Sequence, residues 1–98
     1  MIINVTAAGA TLEAPEDLKR FKLLAAAGLH GEALQAALGG AARLEGEHAW
    51  VSPEWIREAS GLANDAAWQE GFLHMLSYAG RHGWVNNAGE VRAHIERA

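Results

Sequence analysis

The sequence predicts an α+β domain that is mostly helical, with four helices packed beside a small antiparallel sheet. Two of the helices have strong start signals, because Ser52 and Asn64 can accept hydrogen bonds from the first N–H groups of a helix. Apolar and polar residues alternate over residues 91–95, as they do in a strand with one buried face. Residues 2–5 are rich in β-branched side chains and predict a second strand, which we expect to pair with the first.

Length and composition predict one domain over residues 1–98. Ninety-eight residues, half of them hydrophobic, suffice for one core without a second module. Within this domain we expect a strand and two helices over residues 1–45 and a second group of elements over residues 48–97. The chain has no cysteine, which removes disulfides and thiolate chemistry, and no apolar run of the roughly 18 to 20 residues that a membrane span needs. We therefore expect a soluble, cytoplasmic protein.

The charge of the chain argues against nucleic acid as a partner, although it leaves that partner open. The formal net charge is −4 with histidine neutral, and acidic residues outnumber basic ones in both halves. Proteins that bind a duplex concentrate Lys and Arg, because neutralising phosphates supplies most of their non-specific affinity. Neither half of this chain has such a basic surface.

The first half predicts one strand and two helices. Residues 2–5 form the strand, which residues 11–12 could extend into a short hairpin. A helix is predicted over residues 15–27, because a proline opens this segment, acidic residues follow it, and a glycine comes directly after it. A second helix is predicted over residues 31–38. Two glycines end it, although residues 41–44 could resume the helix after a kink.

The second half predicts two more helices and a hairpin. A short strand over residues 49–51 leads into a helix over residues 53–60, which begins with proline and ends before a glycine. The next helix, over residues 65–82, has the clearest helical period in the chain. Its apolar stripe consists of Trp68, Phe72, Met75, Leu76 and Ala79. Residues 84–97 then predict a hairpin, because its turn, Asn-Asn-Ala-Gly, tolerates positive φ angles.

Four consecutive segments of this second half are AWVS, PEWIREASG, NDAAWQEGFLHMLSYAGRHG and WVNNAGEVRAHIE. Their order, strand, helix, helix and hairpin, resembles the winged helix-turn-helix class over about residues 48–97. In that class the second helix of the motif enters the major groove of DNA. The resemblance therefore implies a winged-helix-like fold, with Asn64, Gln69 and Arg92 as the residues that would contact DNA.

Glu70 and His74 are the candidates for chemistry, since they lie one helical turn apart. A carboxylate beside an imidazole can act as a general base or supply two ligands to a metal ion. Such a pair on a helix surface is more often a solvated ion pair, and zinc needs at least a third ligand. We therefore predict no metal site and no cofactor, and keep the pair as a low-ranked catalytic candidate.

Four tryptophans are many for a chain of this length. They can fill a core, or they can form an aromatic surface for a ligand or partner. Trp68 lies in the apolar stripe, and Trp55 lies on the apolar side of its helix, so we assign both to the core. The predicted interaction residues are Trp50, Trp84, Arg81 and Arg92.

Three hypotheses for the function follow. The first is a non-catalytic interaction module that binds a protein partner or forms a homo-oligomer such as a dimer through its aromatic-rich surface. The alternative is a winged-helix transcriptional regulator that binds DNA. The second alternative is a small-molecule binder or small enzyme that uses Glu70 and His74.

Overall fold

The computed structural model describes residues 1–98 and contains three helices and one six-stranded sheet. The strands are β1 (Ile2–Thr6), β2 (Gly9–Glu13), β3 (Lys22–Ala25), β4 (Ala42–Glu45), β5 (His48–Val51) and β6 (Val91–Arg97). The helices are α1 (Gly31–Leu38), α2 (Pro53–Ser60) and α3 (Ala66–Arg81). Helices account for 33% of the residues and strands for 31%, so the prediction of a mostly helical chain with four helices and a small sheet is wrong.

The sheet is mixed, with the strand order β2-β1-β3-β6-β5-β4. β3 runs parallel to both of its neighbours, β1 and β6, and the other neighbouring strands are antiparallel. The sheet curls into a half-barrel. The last strand of the chain, β6, is therefore central and joins the first three strands to β4 and β5. This arrangement is not that of a winged helix-turn-helix, so the predicted winged-helix-like fold is wrong.

The predicted C-terminal hairpin is reduced to a single bridge between Val85 and Val91. β6 pairs instead with β3 on one side and with β5 on the other. The predicted pairing of residues 2–5 with residues 91–95 is also wrong, because β3 lies between β1 and β6. The chain from α2 to β6 thus has the two expected helices, α2 and α3, but no wing.

The predicted helix over residues 15–27 does not form. Ala14 has a positive φ of 49°, two turns follow it, and the chain then enters β3. A strand is favoured there because Leu23 and Ala25 alternate with less buried neighbours and are themselves completely buried. Both strands that flank β3 run parallel to it, and neither is its neighbour in the sequence. Local helix signals carry no information about such partners.

The bounds of the two short helices, α1 and α2, agree with the prediction. The helices expected over residues 31–38 and 53–60 form with those bounds. The Ser52 side chain accepts a hydrogen bond from the N–H of Trp55 at 3.2 Å, which caps the start of α2. Gly61 ends α2 in the left-handed conformation, with a φ of 70°.

α3 begins with Asp65 as its cap, where the sequence suggested Asn64. The Asp65 carboxylate accepts a hydrogen bond from the N–H of Trp68 at 2.9 Å. The predicted apolar stripe of this helix is confirmed. Three of its members are buried and the last two are half-buried: Trp68, Phe72, Ala79, Met75 and Leu76.

One hydrophobic cluster of 17 buried residues joins the sheet to all three helices. β6 shows how the strands contribute to it, because Val91, Ala93 and Ile95 are buried, whereas Arg92 and His94 are not. Side chains alternate along a strand, so the sheet has an inner apolar face and an outer polar face. The outer face supplies the polar groups of the site described next.

The outer edge of β4 is covered by a side chain from α1. The Gln35 amide donates to the carbonyl of Ala42 at 2.9 Å and accepts from the N–H of Leu44 at 2.8 Å. These two hydrogen bonds satisfy backbone groups that an edge strand would otherwise expose. Residues 41–44 therefore lead into an edge strand and do not resume the helix.

The loop between α3 and β6 is organised by Asn86. Its side-chain oxygen accepts from the N–H groups of Ala88 at 3.1 Å and Glu90 at 2.9 Å. Its amide donates to the Glu90 carboxylate at 2.9 Å, and the Arg43 guanidinium binds the same carboxylate at 2.9 Å. These hydrogen bonds hold the pKa of Glu90 below its ordinary value. They also join the loop to β4.

Candidate functional site

β3 starts late relative to β6, and this leaves a notch in the sheet. Lys22, the first residue of β3, lies opposite His94, so residues 91–93 of β6 have no partner on β3. The chain before β6 fills part of the gap, since the N–H of Arg92 donates to the carbonyl of Trp84 at 2.8 Å. A cleft opens at this notch.

This cleft, which we name the notch cleft, has a volume of about 350 Å³. Its lining comes from the segment before β3, from α3, from β5 and from the start of β6. The 11 lining residues are Leu18, Lys19, Phe21, His48, Met75, Tyr78, Ala79, Trp84, Val91, Arg92 and His94. Seven of them are hydrophobic and the other four are basic, counting histidine as a base. None is acidic, although the chain has 12 Asp and Glu residues.

α3 fixes the segment over residues 14–21 that forms one wall of the notch cleft. The indole N–H of Trp68 donates to the main-chain carbonyl of Pro15 at 2.8 Å. Leu18 packs directly on Gly71, where an added Cβ would lie 2.6 Å from the Leu18 Cδ1 atom. A larger residue at this position would force the Leu18 side chain to move, so glycine permits the close approach of the segment to α3.

The amino group of Met1 holds the same segment from the other side. Met1 is buried, and its ammonium group donates to the main-chain carbonyls of Asp17 and Arg20, the latter at 2.6 Å. Burial lowers the pKa of this ammonium group. Lys19 lies between the two bonded residues, so its side chain extends from a well-anchored piece of backbone.

Strands β5 and β6 supply the other polar groups of the notch cleft. His48 and His94 are register partners on these strands, and their ring centroids are 6.0 Å apart in an edge-on arrangement. Arg92 lies two residues before His94 and therefore on the same face of β6. Neither Arg92 nor Lys19 makes an ion pair. Their charges are not neutralised by any side chain of the protein.

Two neighbouring cations, by contrast, are paired. Lys22 binds the Glu96 carboxylate at 2.8 Å, and the hydrogen bond and charge of Lys22 lower the pKa of Glu96. Arg43 binds Glu90 at 2.9 Å. Lys19 and Arg92 of the notch cleft therefore differ from these two neighbours, because they have no ion-pair partner.

Three aromatic rings form a cluster at the mouth of the notch cleft. His82 stacks on Trp84 with ring centroids 4.7 Å apart, and Tyr78 contacts His82 at 4.4 Å and Trp84 at 6.1 Å. Tyr78 is 52% exposed, which is unusual for a large side chain in this protein. The rings give the mouth a flat apolar surface beside its cationic groups.

Two of the four predicted interaction residues, Trp84 and Arg92, line the notch cleft. Trp50 lies on the outer face of the sheet, where its register partners are Arg43 on β4 and Arg92 on β6. Arg81 is exposed in the last turn of α3 and does not line the cleft. Of the four predicted interaction residues, only Trp84 and Arg92 therefore belong to the notch cleft.

Glu70 and His74 are both exposed on α3, and neither lines the notch cleft. The structure contains no hydrogen bond or ion pair between them. Nowhere in the chain do three or more His, Asp or Glu residues cluster in a way that could hold a metal ion.

The residues suggested for DNA contact lie on different elements. Asn64 is exposed before α3, and the Gln69 amide donates to the carbonyl of Ala63 at 2.6 Å, so both lie at the start of that helix. Arg92 instead lines the notch cleft together with residues from the second half of α3. With the winged-helix arrangement absent, DNA binding has no support from the fold.

Sequence reasoning did not find His48, His94 and Lys19 as members of one site. His94 lies on the polar side of its strand and is exposed. Its register with His48 could not be read from the sequence, because β5 and β6 are separated by two helices. Lys19 was placed on a helix that does not form. The one signal available was the alternation over residues 91–95, which put Arg92 and His94 on one face.

The fold and the notch cleft define a small α+β domain with a cationic opening in a mixed, half-barrel sheet. Comparison of the chain with protein-family models, with curated proteins and with solved structures gave no match. No helix combines the length and the apolar character that crossing a membrane would require.

Proposed function

We propose that the chain is a non-catalytic interaction module, and that the notch cleft binds an acidic segment of a partner protein. The charge of the cleft carries this proposal. Its lining has Lys19, Arg92 and two histidines but no acidic side chain, in a chain with 12 acidic residues against eight Lys and Arg. Charge complementarity of this kind steers association and selects among partners.

The floor of the notch cleft supplies the apolar part of the interaction. Leu18, Phe21 and Met75 are half-buried and face the same cavity, beside the buried Val91. A leucine or phenylalanine side chain of the partner that filled this floor would stabilise the complex by roughly 1.5 to 3 kcal/mol. Interfaces commonly gather much of their binding energy in such anchors.

The open mouth favours a segment of polypeptide over an enclosed small molecule. Lys19 and His94 are exposed at the mouth, and Tyr78 is 52% exposed beside them. Small-molecule sites usually bury roughly 70 to 90% of the ligand surface. A chain that places one apolar and one acidic side chain in the cleft can continue across the exposed Tyr78 ring.

The composition of the lining favours binding over catalysis. The notch cleft contains two imidazoles but no carboxylate, serine, threonine or cysteine. A catalytic imidazole usually acts with a nucleophile and a third group that orients it. His48 and His94 have neither within the cleft, so their role is proposed to be recognition.

A defined peptide tests the proposal. The probe is a short peptide, blocked at both ends, in which Glu and Asp flank a phenylalanine, and binding is followed by calorimetry. We expect Arg92→Gln to weaken binding roughly tenfold, because a hydrogen bond to a charged group is worth about 1.5 to 3 kcal/mol. Lys19→Gln should act in the same direction.

Arg97→Gln is the matched control, since it removes the same charge outside the notch cleft. The peptide with Gln and Asn in place of its acids is the second control. Equal binding of the two peptides, equal effects of Arg92→Gln and Arg97→Gln, or no binding at all would each contradict the proposal.

A further inference from the structure

We propose that the acidic group of the ligand bridges the rings of His48 and His94 and accepts a hydrogen bond from each, so that binding takes up protons and strengthens as the pH falls from about 8 to about 5.5. The ligand group is a carboxylate of the partner segment. This inference rests on the proposed function, because it requires an anionic ligand in the notch cleft.

The geometry of the two histidines supports this subsite. Their side chains start from directly opposed positions on β5 and β6, and opposed Cβ atoms on neighbouring antiparallel strands are roughly 4.5 to 5.5 Å apart. Their rings are 6.0 Å apart and edge-on, and both rings line the notch cleft. A protonated imidazole donates through both ring nitrogens, so a carboxylate that bridges the two rings from the cleft can accept a hydrogen bond from each.

Proton uptake follows from the charges at this position. A carboxylate bound to both rings attracts a positive charge on each, so it favours the protonated imidazoles. The complex therefore binds more protons than the free protein, and lower pH favours the complex.

Other charged groups face the pair from the neighbouring strands. Glu45 is the register partner of His48 on β4, and Glu96 lies two residues after His94 on β6. Lys22 is the register partner of His94 on β3 and is bound to Glu96.

From the segment before β3, Lys19 lies in the same lining. Carboxylate, ammonium and guanidinium side chains ordinarily titrate outside the range from about pH 5.5 to 8, as does the phenol of Tyr78. The imidazoles are therefore the groups expected to produce the pH dependence. His82 is the third imidazole in the region, but it stacks on Trp84 and does not line the cleft.

Calorimetry with the acidic peptide across this pH range tests the inference, in buffers of different ionisation enthalpy so that proton uptake is counted directly. The peptide carboxylates ordinarily titrate near pH 4 and stay charged throughout. We expect the affinity of the unmodified protein to rise roughly tenfold from about pH 8 to about pH 5.5, with net proton uptake. His48→Gln and His94→Gln should each flatten this profile.

His30→Gln is the control, because His30 does not line the notch cleft. This variant should keep the full pH dependence. Binding of constant affinity without proton uptake would overturn this inference and leave the proposed function standing. A pH dependence that survives in both His48→Gln and His94→Gln would assign it to another group and overturn the inference too. Absence of binding at every pH would overturn both.

Discussion

At the scale of single residues, Trp68 connects the core to the notch cleft. Its ring is buried and stacks on Phe72 with centroids 4.9 Å apart. Its indole N–H reaches the carbonyl of Pro15, at the start of the segment that carries Leu18 and Lys19. A buried indole usually finds such a partner, and here the partner is the backbone of the cleft wall.

Trp68→Phe should therefore reduce the stability of the protein. The change leaves the carbonyl of Pro15 without its donor and leaves a void in the core, and we expect the free energy of unfolding to fall by about 2 to 4 kcal/mol. Urea titrations measure this loss. Trp55→Phe is the control, because Trp55 is half-buried and its indole makes no hydrogen bond within the protein. Equal losses for the two variants would contradict the role given to the indole N–H.

At the scale of elements, local capping signals predict the bounds of α2 correctly but predict a helix over residues 15–27 that does not form. The Ser52 cap, the proline after it and Gly61 define α2 without help from the rest of the chain. The segment over residues 15–27 has similar signals, yet it forms turns and a strand. Its strand is stabilised by two partners, β1 and β6, and tertiary pairing of this kind overrides a weak helix preference.

Two glycines of α3 give a matched test of how this helix meets the cleft wall. A Cβ at Gly71 would lie 2.6 Å from the Leu18 Cδ1 atom, whereas a Cβ at Gly80 would meet nothing within 4 Å. Gly80→Ala should raise the free energy of unfolding by about 0.5 to 1 kcal/mol, as expected for an open helical position. Gly71→Ala should gain less or lose stability, because Leu18 must move.

The same pair separates the cleft wall from the helix. Leu18 lines the notch cleft, so Gly71→Ala should also weaken binding of the acidic peptide, and Gly80→Ala should not. Urea titrations and calorimetry on both variants give the two readouts. If both substitutions stabilise the protein equally, the contact between Leu18 and Gly71 does not constrain the fold.

At the scale of the whole molecule, the order of the strands was beyond the reach of sequence patterns. The alternation over residues 91–95 predicts a strand with one buried face, and the structure has one. That pattern does not show whether the strand lies at an edge or in the centre of the sheet. Side chains alternate between the two faces of the sheet in both positions. The notch cleft shares this limit. Trp84 and Arg92 are predicted from composition and from their place in the chain. The position of His48 opposite His94 depends on the register of β5 and β6, which the sequence does not show.

Two ion pairs connect separate parts of the sheet and should make stability depend on acidity. Lys22 on β3 binds Glu96 on β6, and Arg43 on β4 binds Glu90 in the loop before β6. The pKa of Glu96 is lowered by its hydrogen bond from Lys22, and the pKa of Glu90 by hydrogen bonds from Asn86 and Arg43. A lowered pKa means that the folded protein favours the ionised carboxylate.

This stabilisation should be complete above the ordinary carboxyl pKa of 4.5 and should be lost as the pH falls below it, through the lower folded values. Urea titrations of the unmodified protein near pH 7, 4 and 3 measure the loss. The double variant Glu90→Gln and Glu96→Gln should be less stable near pH 7 and should lose less on acidification. Parallel pH profiles for the two proteins would show that these carboxylates do not contribute.

The central position of β6 has a consequence for the protein as it is synthesised. β1, β2 and β3 emerge from the ribosome first, and β4 and β5 follow as a hairpin, but the strand that joins these two groups is made last. Until then β3 and β5 each present an unpaired edge, and such edges allow nascent chains to pair with one another. The sheet closes only after translation of residues 91–97. Growth conditions that slow this closure should therefore increase the fraction of newly made chains that aggregate.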